Sequence, residues 1–325
     1  MDGGAADATT KENGAHESRV EAGEEAPSSS ALKSDQDGSH GGASTRAPDD
    51  GEGVGVDEEK GSPRMPATIR VPQDCATVAE AVARAVHGQR ILIQAGEYQW
   101  NDRVHVDKVL HLEGEADKMT GNPATVLIGR WKLQPPDPKK WDMLPDVTST
   151  FRNIRCESSG GYCVQVIGLH WEMINSAFYC KQGTAMHVLK GTLVLDGSAV
   201  GGSMDTRFAN NGLVVCNDAR AYLNKSAVRN CKNGIYLRDN AVLITSDSQV
   251  HRVSIAFGCM LPNCCEMEIA KTSFREVEEI WNENSRPEKL LQTRNCDIYG
   301  KAIYLHGDCD GSHTFQTQDL MGHTH

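Results

Sequence analysis

One small residue recurs along the second half of the chain. Six segments align on it: WEMINSAF, LVLDGSAV, AYLNKSAV, LITSDSQV, MEIAKTSF and LQTRNCDI. Their anchors are Ser176, Ser198, Ser226, Ser248, Thr272 and Cys296, spaced 22, 28, 22, 24 and 24 residues apart. Five positions before the anchor stand Trp171, Leu193, Ala221, Leu243, Met267 and Leu291. Three before stand Met173, Leu195, Leu223, Thr245, Ile269 and Thr293, and two after stand Phe178, Val200, Val228, Val250, Phe274 and Ile298. Polar and turn residues alternate with them, as in strands with one buried face. A second strand follows each: AMHVLKG, GLVVCND, GIYLRDN, SIAFGCM, VEEIWNE and AIYLHGD, with Val188, Val215, Leu237, Phe257, Ile280 and Leu305 as its inward column. The repeat therefore reads strand, turn, strand, turn, without a helix. Columns of like residues stack only where successive turns of chain lie in parallel register. That is a parallel β-helix, a solenoid in which each coil covers the one beneath. Leucine-rich repeats share the period, but their LxxLxLxxN pattern is absent.

The other half of the chain sets the boundaries. Residues 1–65 contain no Phe, Trp or Tyr and hold 15 acids against 6 bases. Such a composition cannot bury enough apolar surface to offset its ordering entropy, so a disordered acidic tail is expected over 1–65 and one β-helix domain over 66–325. The tail carries most of the formal charge of −11. The near-neutral remainder offers no electrostatic footprint for nucleic acid. No apolar run has the length of a membrane span, and MDGGAADATTKENG has no apolar signal region, so an intracellular, cytoplasmic protein is expected. Eleven cysteines, odd in number and irregular in spacing, then read as reduced thiols, several of them core residues. His306, Cys309, His313, His323 and His325 fit no zinc-finger spacing, so no metal or other cofactor is expected. Before the repeats, TVAEAVARAVHG has Val78, Ala81, Val82, Ala85 and Val86 along one helical stripe. A solenoid exposes raw core at its first coil, and this helix, ended by Gly88, is expected to cap it.

The stretch from Thr68 to Gly129 reads TIRVPQDCATVAEAVARAVHGQRILIQAGEYQWNDRVHVDKVLHLEGE, with ATVLIG at its end. It resembles the N-terminal coil of the pectin lyase-like superfamily. The match lies in Gly96-Glu97-Tyr98, in Lys108 through Gly114 and in Thr125 through Gly129. The GIYLRDN-type repeats are similar to those of the CASH group, which includes the β-helix F-box proteins. The resemblance covers about residues 67–308 and implies a right-handed parallel β-helix, all-β with a short N-terminal capping helix.

Enzymes of that superfamily carry acids on the outward face of stacked strands. Of the polygalacturonase-like motifs only Asn295-Cys296-Asp297 is matched here, and no carboxylate cluster suggests a calcium site. The outward column just after the anchors is Ala177, Ala199, Ala227, Gln249, Ser273 and Asp297, with a single acid, whereas glycoside hydrolysis usually uses two. The second strand is richer. Its outward positions gather Tyr236 and Arg238, then a low spot at Ala256 and Gly258, then Glu279 with Trp281 and Tyr304 with His306. Aromatic faces with a few polar groups suit a glycan or an extended peptide. The expectation is a non-enzymatic binding or scaffold module that takes a protein or glycan on this strip, without nucleic acid or membrane as partner. The alternative is a carbohydrate-active enzyme (polysaccharide lyase, hydrolase or pectinesterase-like) acting on acidic polysaccharide. In it Glu279 and His306 form the acid–base pair and Arg238 steadies a uronate. Two insertions, Arg130–Pro145 and Gly201–Asn211, are read as loops. The segment DGSHTFQTQDLMGHTH has no amphipathic cap, so self-association through an open last coil is a further expectation.

Overall fold

The computed structural model describes residues 67–135, 148–202, 209–260 and 265–281, and three short strands beyond them, Leu290–Arg294, Asp297–Tyr299 and Gln316–Gln318. The expected disordered tail, the expected open last coil, Tyr304, His306 and the C-terminal histidines lie outside the described residues.

Every pairing between named strands is parallel, and each strand lies beside the strand one coil later. The chain is a parallel β-helix. The columns expected from the sequence are its registers. Met173 lies beside Leu195, then come Leu223, Thr245, Ile269 and Thr293. Phe178 leads to Val200, Val228, Val250, Phe274 and Ile298 in the same way. Only at strand Leu290–Arg294 does the outer column slip, where Met267 meets Leu290 instead of Leu291.

The coil has three straight runs, not the two expected. Segments such as WEMINSAF straddle a corner, so their front and back halves belong to different sheets. Strand Arg220–Asn224 runs in the first sheet. Strand Ala227–Arg238 begins in the second and bends into the third at Asn230, where φ is +53°. Arg252 and Glu276 repeat that bend one and two coils later, at +54° and +51°. The bend at Glu276 adds the residue that turns Glu278 to solvent while Val277 and Ile280 stay buried.

The first corner explains the anchors. Asn175, Gly197, Lys225, Asp247 and Lys271 each take positive φ, between 45° and 58°, and turn the chain. The next residue, Ser176, Ser198, Ser226, Ser248 or Thr272, is buried. A corner breaks the backbone ladder and leaves amides without partners, so the hydroxyls supply them. Ser176 N–H donates to Ser198 Oγ at 3.0 Å, Ser198 N–H to Ser226 Oγ at 3.1 Å, and Ser226 N–H to Ser248 Oγ at 3.2 Å. Each hydroxyl then donates to a carbonyl, as from Ser226 to Asn224 at 2.8 Å and from Ser198 to Met173 at 2.7 Å.

Between the sheets lies one continuous core. Trp131, Phe151, Trp171 and Phe178 are fully buried, with ring centroids 5.2 to 6.2 Å apart. Each such side chain stabilises the fold by about 1.5–3 kcal/mol on the area scale. Trp131 corrects the expected loop at Arg130–Pro145: it sits in strand Thr125–Leu133, between Val104 and Val164, and residues 136–147 lie outside the described residues. The other insertion keeps Gly201 and Ala209 in the sheets, with 203–208 outside the description.

The helix spans Val78–Arg84 and is capped by Thr77, whose Oγ1 accepts from Glu80 N–H at 3.1 Å, while Glu80 Oε2 accepts from Ala76 N–H at 3.1 Å. Val78, Ala81, Val82 and Ala85 join the core, as expected. Val86 does not: Ala85 is already extended and ends the helix, and Val86 is 55% exposed. The helix is thus already over when Gly88 turns the chain. A strand before it, Ile69–Val71, pairs with Ile91–Ile93 and opens the first sheet.

The hydroxyl ladder has a measurable value. Ser198→Ala leaves the Ser176 amide buried and unpaired, and is expected to cost about 1–3 kcal/mol of unfolding free energy. Equal denaturant midpoints for the variant and the parent would show that the ladder contributes nothing.

Candidate functional site

Among the described residues the expected strip on the third sheet is not assembled. Tyr236 lies beside Gly258, and Arg238 beside Met260, two residues further along than the sequence alignment of Leu237 with Phe257 requires. Leu237 in fact meets Cys259. The low spot is closed, because the Tyr236 ring covers Gly258: a Cβ there would stand 2.6 Å from Tyr236 Cδ2. Glu279 lies beside Ile255, in the column of Asn233 and Asn211. It is therefore three positions along the sheet from the Tyr236 column, roughly 10 Å, as well as two coils away. Arg238 is exposed and spends its Nε–H on the Asp239 carboxylate at 2.7 Å. Trp281 pairs through its backbone with Phe257. Tyr304 and His306 lie outside the described residues. Among the described residues, Glu279 shares no surface with Tyr236 and Arg238.

The second sheet holds the groove instead. Its floor is the alanine column Ala177, Ala199 and Ala227, continued by Gln249. The first-corner residues Asn175, Gly197, Lys225 and Asp247 make one wall. The other wall comes from the next outward column, two residues on, which runs Ile128, Glu157, Tyr179, Gly201, Arg229, His251 and Arg275. Arg155, Tyr179 and Arg229 all line the groove, whose volume is about 530 Å³. The loop at Asn122 and Pro123 closes one end, tied to the corner by Asn175 Nδ2–H, which donates to Gly121 O at 3.0 Å and Asn153 Oδ1 at 2.8 Å.

Physical reasons fix each wall. Small floor side chains leave room above the sheet. Gly201 takes φ +135°, and a Cβ there would overlap the Arg229 carbonyl, so this position stays bare. Arg229 reaches back across it. Its Nη2–H donates to the Tyr179 hydroxyl, and its Cζ lies 5.3 Å from the centre of that ring. Arg155 donates from Nε to Glu157 Oε1 at 2.5 Å. Lys225 is exposed at the rim. The groove thus collects Arg155, Lys225 and Arg229 against two acids: Glu157, which pairs with Arg155, and Asp247 at the rim, which lies 3.8 Å from Lys271. A second groove of about 570 Å³ adjoins on the same sheet, with Trp100, Arg130, Glu157 and Lys181 in its lining.

The carboxylates limit the chemistry. Glu157 and Asp247 lie four coils apart, about 19 Å at 4.8 Å per coil. Two-carboxylate glycoside hydrolysis works across about 5–9.5 Å. The same separation is too wide for both to ligate one calcium ion. Among the described residues no group of three or more His, Cys, Asp or Glu could hold a metal.

The column one residue after the anchors is mostly alanine and gives no sign of a site. The position three after the anchors reads Tyr179, Gly201, Arg229, His251 and Arg275, and this column, visible in the sequence, carries the polar wall.

The third sheet contributes one further pair. Cys216 Sγ lies 3.5 Å from His187 Nε2, and the Tyr162 ring stacks on His187 at 4.4 Å between centroids. Burial pushes the Cys216 thiol up to about 11 and holds His187 below its ordinary value. The pair is neutral, unlike an activated nucleophile, which needs a lowered thiol value.

Comparison with known proteins is sparse. No family model matches the chain, and no curated protein matches it. Among solved structures, it is similar to pectate lyase Pel9A, with 13% identity over 69% of this chain and a TM-score of 0.48. The chain spans 62% of the length of that lyase. It is also similar to the pectin methylesterase from Aspergillus niger, with 12% identity over 79% of this chain and 85% of the other, at a TM-score of 0.42. Both belong to the superfamily that the first coil resembles. The expectation of a non-enzymatic binding or scaffold module is corrected: the strip on which it rested is broken by the register of the third sheet, which holds Glu279 away from Tyr236 and Arg238. No helix among the described residues is long and apolar enough to cross a membrane.

Burial makes a prediction about the thiols. Cys231 is pushed up to about 12 and Cys216 to about 11 because their charged forms would lose hydration. At pH 8 both are expected to resist maleimide in the native state and to react fully once denatured, as followed by mass spectrometry of labelled peptides. Since both folded values lie above the unfolded ones, their stabilising contribution is complete below the ordinary thiol range, about 8.5, and is lost as pH rises above it. Rapid native labelling of Cys231 would contradict this packing.

Proposed function

We propose that this protein is a carbohydrate-active enzyme whose second-sheet groove takes an extended acidic polysaccharide. One observation carries the reading: Lys225 and Arg229, with the Glu157-paired Arg155, stand around a floor of alanines. A cleft with an excess of cations favours an anionic ligand, and the open floor suits a flat polymer lying along the coils. A uronate polymer presents a carboxylate on each sugar and matches this charge pattern.

The reaction class follows from what the groove contains. Hydrolysis with two carboxylates is disfavoured by the separation of Glu157 and Asp247. Elimination needs a base beside the sugar C5 and cations on its carboxylate. The cations offset charge as it develops in the transition state. Arg155 and Lys225 are the residues for the carboxylate. The earlier acid–base assignment to Glu279 and His306, with Arg238 on a uronate, has no place in this reading.

Pectate, alginate and hyaluronan, with neutral dextran as control, make the test. The full chain is expected to bind uronate polymers in affinity electrophoresis, more weakly as salt rises, and to release products with the ultraviolet absorbance of unsaturated uronides. Combined Arg155→Ala and Lys225→Ala is expected to weaken binding about 5- to 30-fold, as a loss of one to two kcal/mol would. Equal retention by dextran, or no retention by any uronate polymer, would sink the proposal.

A further inference from the structure

Tyr179 sits where the groove wall meets its floor. It lies two residues beyond Ala177 and one coil from Glu157. It is 8% exposed and lines the groove. The coil above presents Gly201, and the one after that presents Arg229. With no side chain at Gly201, the Arg229 guanidinium spans two coils to donate to the phenolic oxygen while lying against the ring. Arg229 Nε is buried without a hydrogen-bond partner, which is unusual for a guanidinium in a settled ion pair. A surface Tyr–Arg contact needs no bare glycine between the partners. Here a backbone at φ +135° with no room for a Cβ is what lets them meet.

The charged neighbours of Tyr179 are few. Glu157, in the same column one coil below, is held by Arg155. Lys181 follows two residues along the chain beside the adjoining groove, and Lys225 stands on the opposite wall. Arg229 is the one that touches the hydroxyl.

We propose that Tyr179 is the proton-transferring catalytic residue of the groove and that Arg229 is its positioning residue; this rests on the elimination reading above. Tyr179 Oη enters as the phenolate paired with the Arg229 guanidinium, takes the proton from C5 of the uronate and becomes the neutral phenol. The C5–H electron pair becomes the C4–C5 double bond as the C4–O bond breaks. The departing oxygen receives the same proton from Tyr179 Oη, which returns to the phenolate, so no external acid, base or oxidant is consumed. The negative charge that Oη bears before the first transfer and after the second is held by the Arg229 guanidinium.

Tyr179→Phe keeps the ring and its packing and removes only the hydroxyl. On the uronate polymer that the parent protein cleaves, kcat is expected to fall about 100-fold or more, with Kd for the polymer within about threefold and an unchanged melting temperature. Arg229→Met is expected to lower kcat strongly and Arg229→Lys to recover part of it, since a positive charge near Oη is restored. A Tyr179→Phe protein that keeps kcat within threefold of the parent, or that loses affinity in place of kcat, would overturn the assignment while leaving the polysaccharide reading intact. A parent protein that neither binds nor cleaves any uronate polymer would overturn both.

Discussion

Parallel backbone pairing from coil to coil is the constraint on which everything else depends. It places each corner directly over the one below and repeats its hydrogen-bonding problem at every turn. The answer is the same each time: a residue in the left-handed region turns the chain, and a buried hydroxyl supplies the amide below it. Four of the five turning residues are Asn, Lys or Asp, which bear a conformational cost that Gly197 avoids. The ladder of hydroxyls and the apolar columns beneath must offset it. Because the corners are locked, the positions that follow them are locked as well, and these include the groove.

The groove is a by-product of that regularity with a few departures from it. Alanines one residue past the anchors lower the floor, and the residues two further on raise a polar wall. Gly201 is the departure with the largest effect, since it lets Arg229 cross to Tyr179. The net charge of −11 belongs mostly to residues 1–65, so it does not describe the groove, whose local arrangement favours acidic polymers.

Much of the fold was legible because parallel stacking writes itself into columns. Ser176, Ser198, Ser226 and Ser248 recur in register in the sequence, and the core columns flank them. What failed did so for local reasons. A segment such as WEMINSAF keeps its alternation across a corner, so three sheets looked like two. In the third sheet the left-handed residues at Asn230, Arg252 and Glu276 give no composition signal, and a slip there misplaced Gly258 and Glu279. Val86 continued the helical stripe in sequence but follows a helix already ended at Arg84.

The sequence by itself determined the solenoid, its period, the inward columns and the helix that joins the first coil, because each of these is a repeated preference summed over many residues. The tertiary structure alone decided which outward residues become neighbours. That depends on the exact count of residues through each bend, where one residue more or less moves a side chain to another column or face. Tyr236 and Glu279, expected in one outward column, are held three positions apart by such counts. Tyr179 and Arg229, 50 residues apart in the chain, are brought together by two coils of hydrogen bonds and a bare glycine.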